Sequence, residues 1–278
     1  MFTMYRWTHG SSDSLLLGTN HGFHSLSLDN GLPVMDSITN SDIGQVNSIH
    51  KLQTGSGDLD LLLLGNGNQI WKTSVHASSI EGAPPSIMAI DSIEPLIEIL
   101  NESSASATTA VHVEVPGRGP MLLLGTDSGL IRWDTVDGTT SVGVPYWIYT
   151  KENAEDYVLF ADLLNSSKSA VVNVMELAGP VATDGSLEEI TGIWMGTPGG
   201  LHLIDIELFI GLPEQAFLTD RMFNVERWEE GANDIHSILA LENTIILGSR
   251  DGTWCLEGGS HGILGLEYNQ TRMPGLVT

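Results

Sequence analysis

Three acids in this chain stand where chemistry on a sugar would need them. Glycoside hydrolysis takes two carboxyl groups facing each other across the bond, roughly 5–10 Å apart. Glu114 and Glu176 fall inside strand-like apolar runs, and Asp234 falls just before one. A second set is polar at matching places in the same kind of run. These are Asn47 in Val46-Asn47-Ser48, His112 in Val111-His112-Val113, Asn173 in Val172-Asn173-Val174 and His236 in Ile235-His236-Ser237. Arg6 joins them by counting, since it precedes Gly18 by the same 12 residues that separate His236 from Gly248. Donors and acceptors ringed around one mouth would hold a small ligand or a peptide. Arg6, Asn47, His112, Asn173 and His236 are therefore the expected ligand-binding residues, with water in a polar channel as the plainer use of such positions.

Other chemistries find less support. Local histidine groups stop at pairs such as His21 with His24, and zinc-type spacing is absent. The acidic turns Gly57-Asp58-Leu59-Asp60, Asp184-Gly185 and Asp251-Gly252 do not match a calcium-loop pattern and read as ordinary turns. No metal and no cofactor are expected. The single cysteine, Cys255, rules out an intrachain disulfide and sits in the apolar run Gly252 to Leu256, without a base or cation beside it. Gly117-Arg118-Gly119-Pro120 is a Gly-rich turn with no lysine and helix after it to cradle a phosphate.

The elements that must position these groups come from a repeat. An apolar run, a glycine with a small polar residue, a turn and a second strand-like run recur five times. The copies run from Leu15 to Phe23, Leu62 to Ile70, Leu122 to Leu130, Ile193 to Leu201 and Ile245 to Thr253. Their first glycines are Gly18, Gly65, Gly125, Gly196 and Gly248, at intervals of 47, 60, 71 and 52 residues. Such intervals suit a blade with insertions and exceed a helical solenoid repeat. Asn, Asp and Gly supply the positive-φ positions of each tight turn.

A further strand candidate precedes each hairpin: Thr3 to Trp7, Val46 to Leu52, Ala110 to Val115, Val171 to Leu177 and Ile235 to Leu241. A fourth follows it, at Pro33 to Ile38, Ser86 to Ile90, Pro145 to Tyr149, Ala216 to Leu218 and Ile263 to Tyr268. Glu94 to Leu100 and Glu155 to Leu164 read as short helical insertions or outer strands, and Ser103 to Thr109 as a loop. Trp133, Trp194 and Trp254 lie inside repeat strands and are expected to pack between sheets, whereas Trp7, Trp147 and Trp228 sit nearer loops or outer strands.

Four strands per unit and five units in succession imply an all-β protein, a β-propeller of about five four-stranded blades. The whole chain is one domain on this reading, with blades near 1–42, 43–92, 93–150, 151–230 and 231–278. The hairpin core, clearest in Leu124-Gly125-Thr126-Asp127-Ser128-Gly129-Leu130 and in Trp194-Met195-Gly196-Thr197-Pro198-Gly199-Gly200-Leu201, resembles the propeller repeat of two-component-regulator sensor domains. That resemblance implies a ligand-sensing propeller module.

Composition narrows the partners. Lys plus Arg number 11 against 35 Asp plus Glu, for a net charge of −24, which repels nucleic acid and anionic membrane surfaces. No apolar run approaches the ~18–20 residues that span a bilayer. Residues 1–10 hold no continuous apolar stretch of the signal-peptide kind, so the cytoplasm is favoured if the chain is complete. With five repeats and no complete catalytic motif, the expected function is a non-enzymatic binding propeller. Its channel mouth or loop face would hold a protein or a small-molecule or carbohydrate ligand. The alternative is a propeller-type glycoside hydrolase or lyase acting on carbohydrate, for which Glu114, Glu176 and Asp234 are the available acids.

Overall fold

The structure is a computed structural model. It describes residues 3–9, 12–28, 34–38, 43–52, 59–78, 83–115, 119–135, 143–150, 171–179, 190, 192–198, 200–205, 234–241, 244–250, 252–257 and 269–272. The first sheet comprises β1 (Thr3–His9), β2 (Ser12–Thr19), β3 (Gly22–Ser27) and β4 (Val34–Ile38). The second comprises β5 (Val46–Lys51), β6 (Leu59–Gly65), β7 (Ile70–His76) and β8 (Ser86–Ser92), and is followed by α1 (Glu94–Ser103). The third comprises β9 (Ala107–Val115), β10 (Gly119–Thr126), β11 (Gly129–Asp134) and β12 (Tyr146–Thr150). The fourth comprises β13 (Val174–Ala178), β14 (Gly192–Thr197) and β15 (Gly200–Asp205), and the fifth β16 (Ile235–Leu241), β17 (Thr244–Ser249), β18 (Gly252–Glu257) and β19 (Asn269–Arg272).

Every sheet is a meander whose strands bond in chain order. Successive small meanders of this kind are propeller blades, and the chain is an all-β protein of the β-propeller class. Four sheets have four strands, and the fourth sheet has three among the described residues. The expected fourth strand at Ala216 to Leu218 lies outside those residues, as do Ile263 to Tyr268 and Glu155 to Leu164. The last strand of the fifth sheet is instead β19. The stretch read as a loop at Ser103 to Thr109 is corrected to the end of α1 and the start of β9. Pro95 in the first turn, with its φ already helical, favours α1 over an outer strand there, and Leu96 and Leu100, one turn apart, are buried.

The repeat glycine answers a shortage of space. A Cβ on Gly196 would stand 2.7 Å from Val174 Cγ1 and 2.8 Å from Ile235 Cγ2, and one on Gly18 would stand 2.8 Å from Val46 Cγ1. Ile235 and Val46 begin the first strand of the next sheet, so the bare backbone lets one sheet lie against the next. The residue after that glycine has its own task. The hydroxyls of Thr19, Thr126, Thr197 and Ser249 donate to the carbonyls of Gly22, Gly129, Gly200 and Gly252 at 2.9–3.2 Å. Each bond closes a turn whose glycine has positive φ, 133° at Gly200. The second sheet departs from this rule, with Asn66 in place of the hydroxyl residue.

The chain divides into two compact units, one of residues 1–123 with 132–146, the other of 124–131 with 147–278, so the division runs through the third sheet. In the first unit Leu16 and Phe23 pack with Val46, Ile49, Leu63 and Trp71, joining the first two sheets. In the second, Trp194 and Leu201 pack with Ile235, Leu247 and Trp254, joining the fourth and fifth. Trp133, Trp194 and Trp254 are all buried, as their places in the repeat strands imply.

Candidate functional site

In the second unit the first strands of two neighbouring sheets, β13 and β16, meet along a seam that gathers four polar groups. Asn173 stands just before β13. Its backbone N–H donates to the Gly196 carbonyl at 2.9 Å, which fixes the residue, and its Nδ2 donates to Asp234 Oδ1 at 3.2 Å. Asp234 stands just before β16 with φ 59°, a left-handed conformation that aspartate tolerates better than most residues. Its own N–H donates to the Pro198 carbonyl at 3.0 Å. The other oxygen, Oδ2, lies 3.3 Å from His236 Nε2.

His236 owes its direction to a β-bulge. Ile235 pairs with Ser249 and Ser237 with Gly248, leaving His236 as the extra residue. Bulges bend a strand and re-aim a side chain, and they are common beside active sites. The imidazole is more than half exposed and the carboxylate about one-third exposed, at 55% and 32%. With Nε2–H donating to Asp234, the Nδ1 lone pair is left to accept a proton.

Glu176 completes the set. It pairs with Trp194 across the sheet, and strand alternation puts it on the same face of β13 as Val174 and Ala178. Those two residues pack into the core shared with Ile235 and Trp254, so this face looks onto β16. The carboxyl keeps surface open to water, yet protein crowds it on most sides. That crowding pushes its pKa up to about 7, against a weaker opposite pull from the Leu177 N–H, which donates to Oε1 at 3.3 Å. Water access tempers the effect, and the direction follows from the apolar neighbours. A carboxyl that is part-protonated at neutrality can donate a proton, and an aspartate-held imidazole can accept one.

The remaining expected residues fall in the first unit. Asn47 is the extra residue of a bulge beside Gly65, the same local device that carries His236, and its Nδ2 donates to the Gly65 carbonyl at 3.0 Å. Arg6 stands elsewhere: it pairs with Leu15, three residues along β1 from the Thr3–Gly18 pair, and is 69% exposed. Its guanidinium is tied to Asp13 on β2, with Nε 3.0 Å from Oδ2. His112 is 2% exposed and belongs to the interior, so it is not an open binding group. The Glu114 side chain lies outside the described residues. Among the described residues no three of His, Cys, Asp and Glu gather as a metal ion would need.

Sequence reasoning picked out Asn173, Glu176, Asp234 and His236 for separate reasons and missed that Asp234 joins Asn173 to His236. The adjacent Asn233-Asp234 pair, a favoured left-handed turn sequence, was the available signal. One motif belongs beside these residues. Gly258-Gly259-Ser260-His261-Gly262 has the spacing of a nucleophile elbow; it follows β18 directly and lies outside the described residues.

Comparison with protein-family models and with curated protein sequences returns no match. Among solved structures the chain is similar to two proteins described as putative 6-phosphogluconolactonases. The one from Bacteroides fragilis is 11% identical with a TM-score of 0.49, and the one from Bacteroides uniformis is 12% identical with a TM-score of 0.46. Each comparison covers 97% of this chain and 70% of the other. At these values the likeness carries no argument about substrate or residues, and neither neighbour is described as a sensor-domain propeller. Both are described by an enzymatic name, which overturns the expectation of a non-enzymatic binding propeller, and the proton-transfer groups along the β13–β16 seam point the same way.

Proposed function

We propose that this protein is a hydrolase acting on a neutral carbohydrate, with its working groups on the β13–β16 seam. The observation that carries the reading is a crowded carboxyl, Glu176, on a strand packed against one that begins with an Asp234–His236 pair. In this reading His236 Nδ1 takes a proton from water as the water oxygen bonds to the sugar carbon. The bond from that carbon to the leaving oxygen breaks, and Glu176 protonates the leaving oxygen. Asp234 holds the imidazole in the required tautomer and stabilises its cation, and Asn173 holds Asp234. The scheme serves a glycoside or a sugar lactone equally, because both need water activated on one side and an oxygen protonated on the other.

A neutral substrate fits the net charge of −24, which would oppose the approach of a phosphorylated sugar. The likeness of the hairpins to sensor-domain repeats enters only as the scaffold on which the seam is built. The test is a screen of the purified chain on chromogenic glycosides and sugar lactones between pH 6 and 8. Turnover should fall about 100-fold or more in Glu176→Gln and in His236→Asn, the lower end of what one positioned acid or base contributes. A folded wild-type protein that turns over none of these substrates would remove the reading.

A further inference from the structure

The second sheet breaks the turn rule of its four counterparts, and the break assembles a patch of carboxamides in the first unit. Asn66 occupies the place where the other turns keep a hydroxyl donating to the turn glycine carbonyl. Freed of that task, Asn66 joins a closed cycle. Gln45 Nε2 donates to Asn47 Oδ1 at 2.6 Å, Asn47 Nδ2 to Asn66 Oδ1 at 3.1 Å, and Asn66 Nδ2 to Gln45 Oε1 at 2.9 Å. Asn47 is aimed there by its bulge. Beyond Gly67, Asn68 donates to Asn101 at the end of α1. Gly67 itself has φ 66° and is exposed, and nothing lies within 4 Å of the place a Cβ would occupy, so the patch has an open notch between Asn66 and Asn68.

We infer that this patch binds a neutral sugar, as a site separate from the seam in the second unit. Donor accounting supports it. An amide offers two N–H donors and an oxygen with two lone pairs. Asn47 spends both N–H groups inside the protein, one on Asn66 and one on the Gly65 carbonyl. Asn66 and Gln45 each spend one N–H and one lone pair on the cycle, so each keeps one donor and one acceptor for a ligand. Vicinal hydroxyls are donors and acceptors side by side, which is what such amides complement. Every member of the cycle is uncharged, so a charged ligand would shed its hydration without a counter-charge here. The cycle also holds the amides in place before binding, which lowers the ordering cost that weakens most polar surface sites.

This inference shares only its ligand class with the proposed function. The test is calorimetric titration of the whole chain with malto-, cello-, xylo- and mannohexaose, with side-chain amide NMR signals followed in parallel. At least one hexaose should bind and shift the Asn66 and Gln45 amide signals. Asn66→Thr restores the residue of the other turns, so it should fold as well as wild type and bind at least 10-fold more weakly. Asn68→Ala, which leaves the cycle untouched, should weaken binding less. Glu176→Gln should leave binding at this patch unchanged, so a failure of hydrolysis and a failure of binding here are told apart. No binding by any of the four hexaoses, or equal binding by Asn66→Thr, would overturn the inference.

Discussion

Asn173 Nδ2 lies 3.2 Å from Asp234 Oδ1, and that bond links the entry to β13 with the entry to β16. Residues 61 positions apart are held at one seam, with the aspartate turned by its left-handed φ to reach both Asn173 and His236.

Asn173→Ala removes a donor from a carboxylate that is one-third exposed. Hydrogen bonds to charged groups contribute roughly 1.5–3 kcal/mol, and solvent access reduces this to an expected loss of about 1 kcal/mol. Urea unfolding measures it. Because Asn173 acts through Asp234, kcat should fall while KM changes little; a variant as stable and as active as wild type would show that the bond does not hold the seam.

Glu176 makes stability depend on pH with a definite sign. Its pKa rises from 4.5 unfolded to about 7 folded, so between those values the folded chain binds more protons. The stabilisation from this group is present below pH 4.5 and is lost as pH rises through 7. Subtracting the urea midpoints of Glu176→Gln from those of wild type at each pH should give a difference that falls across this window. A flat difference would place the carboxyl in ordinary solvent.

The repeat glycine should not tolerate a methyl group. Gly196→Ala would force a Cβ into Val174 and Ile235, and overpacking of this kind costs about 1–3 kcal/mol. Gly143, with open space where a Cβ would stand, provides the control, and Gly143→Ala should stay within about 0.5 kcal/mol of wild type. Equal stability of the two variants would contradict the stacking of one sheet on the next through Gly196.

The turn hydroxyl can be tested alone. Thr126 is buried and donates to the Gly129 carbonyl at 2.9 Å while accepting from the Ser128 N–H. Thr126→Val keeps the shape and removes both bonds, at an expected cost of about 1–2 kcal/mol. Thermal melting reads this directly, and an unchanged midpoint would mean the turn is fixed by glycine alone.

The sequence was most readable where one physical need repeats. A glycine that must admit the next sheet, a hydroxyl that closes the turn and a positive-φ glycine recur at spacings a linear reading can find. Register was less readable. Counting back 12 residues from a repeat glycine reached His236 and Arg6 alike, but β16 has a bulge at His236 whereas β1 pairs with β2 without a shift. The same count therefore lands three pairs away from the Thr3–Gly18 pair, at Arg6. His112 matched by polarity and is buried, because alternation alone does not say which face of a strand is covered on both sides. The seam itself was hidden because its central residue, Asp234, acts through a backbone conformation that its residue type permits without requiring.

The most direct test is the pH–rate profile of carbohydrate hydrolysis in wild type and Glu176→Gln. The account predicts a rate that declines above about pH 7 as Glu176 loses its proton, with that limb missing from a variant whose residual rate is at least 100-fold lower. A variant that keeps both the wild-type rate and the decline above pH 7 would contradict the assignment of Glu176 and, with it, the catalytic seam.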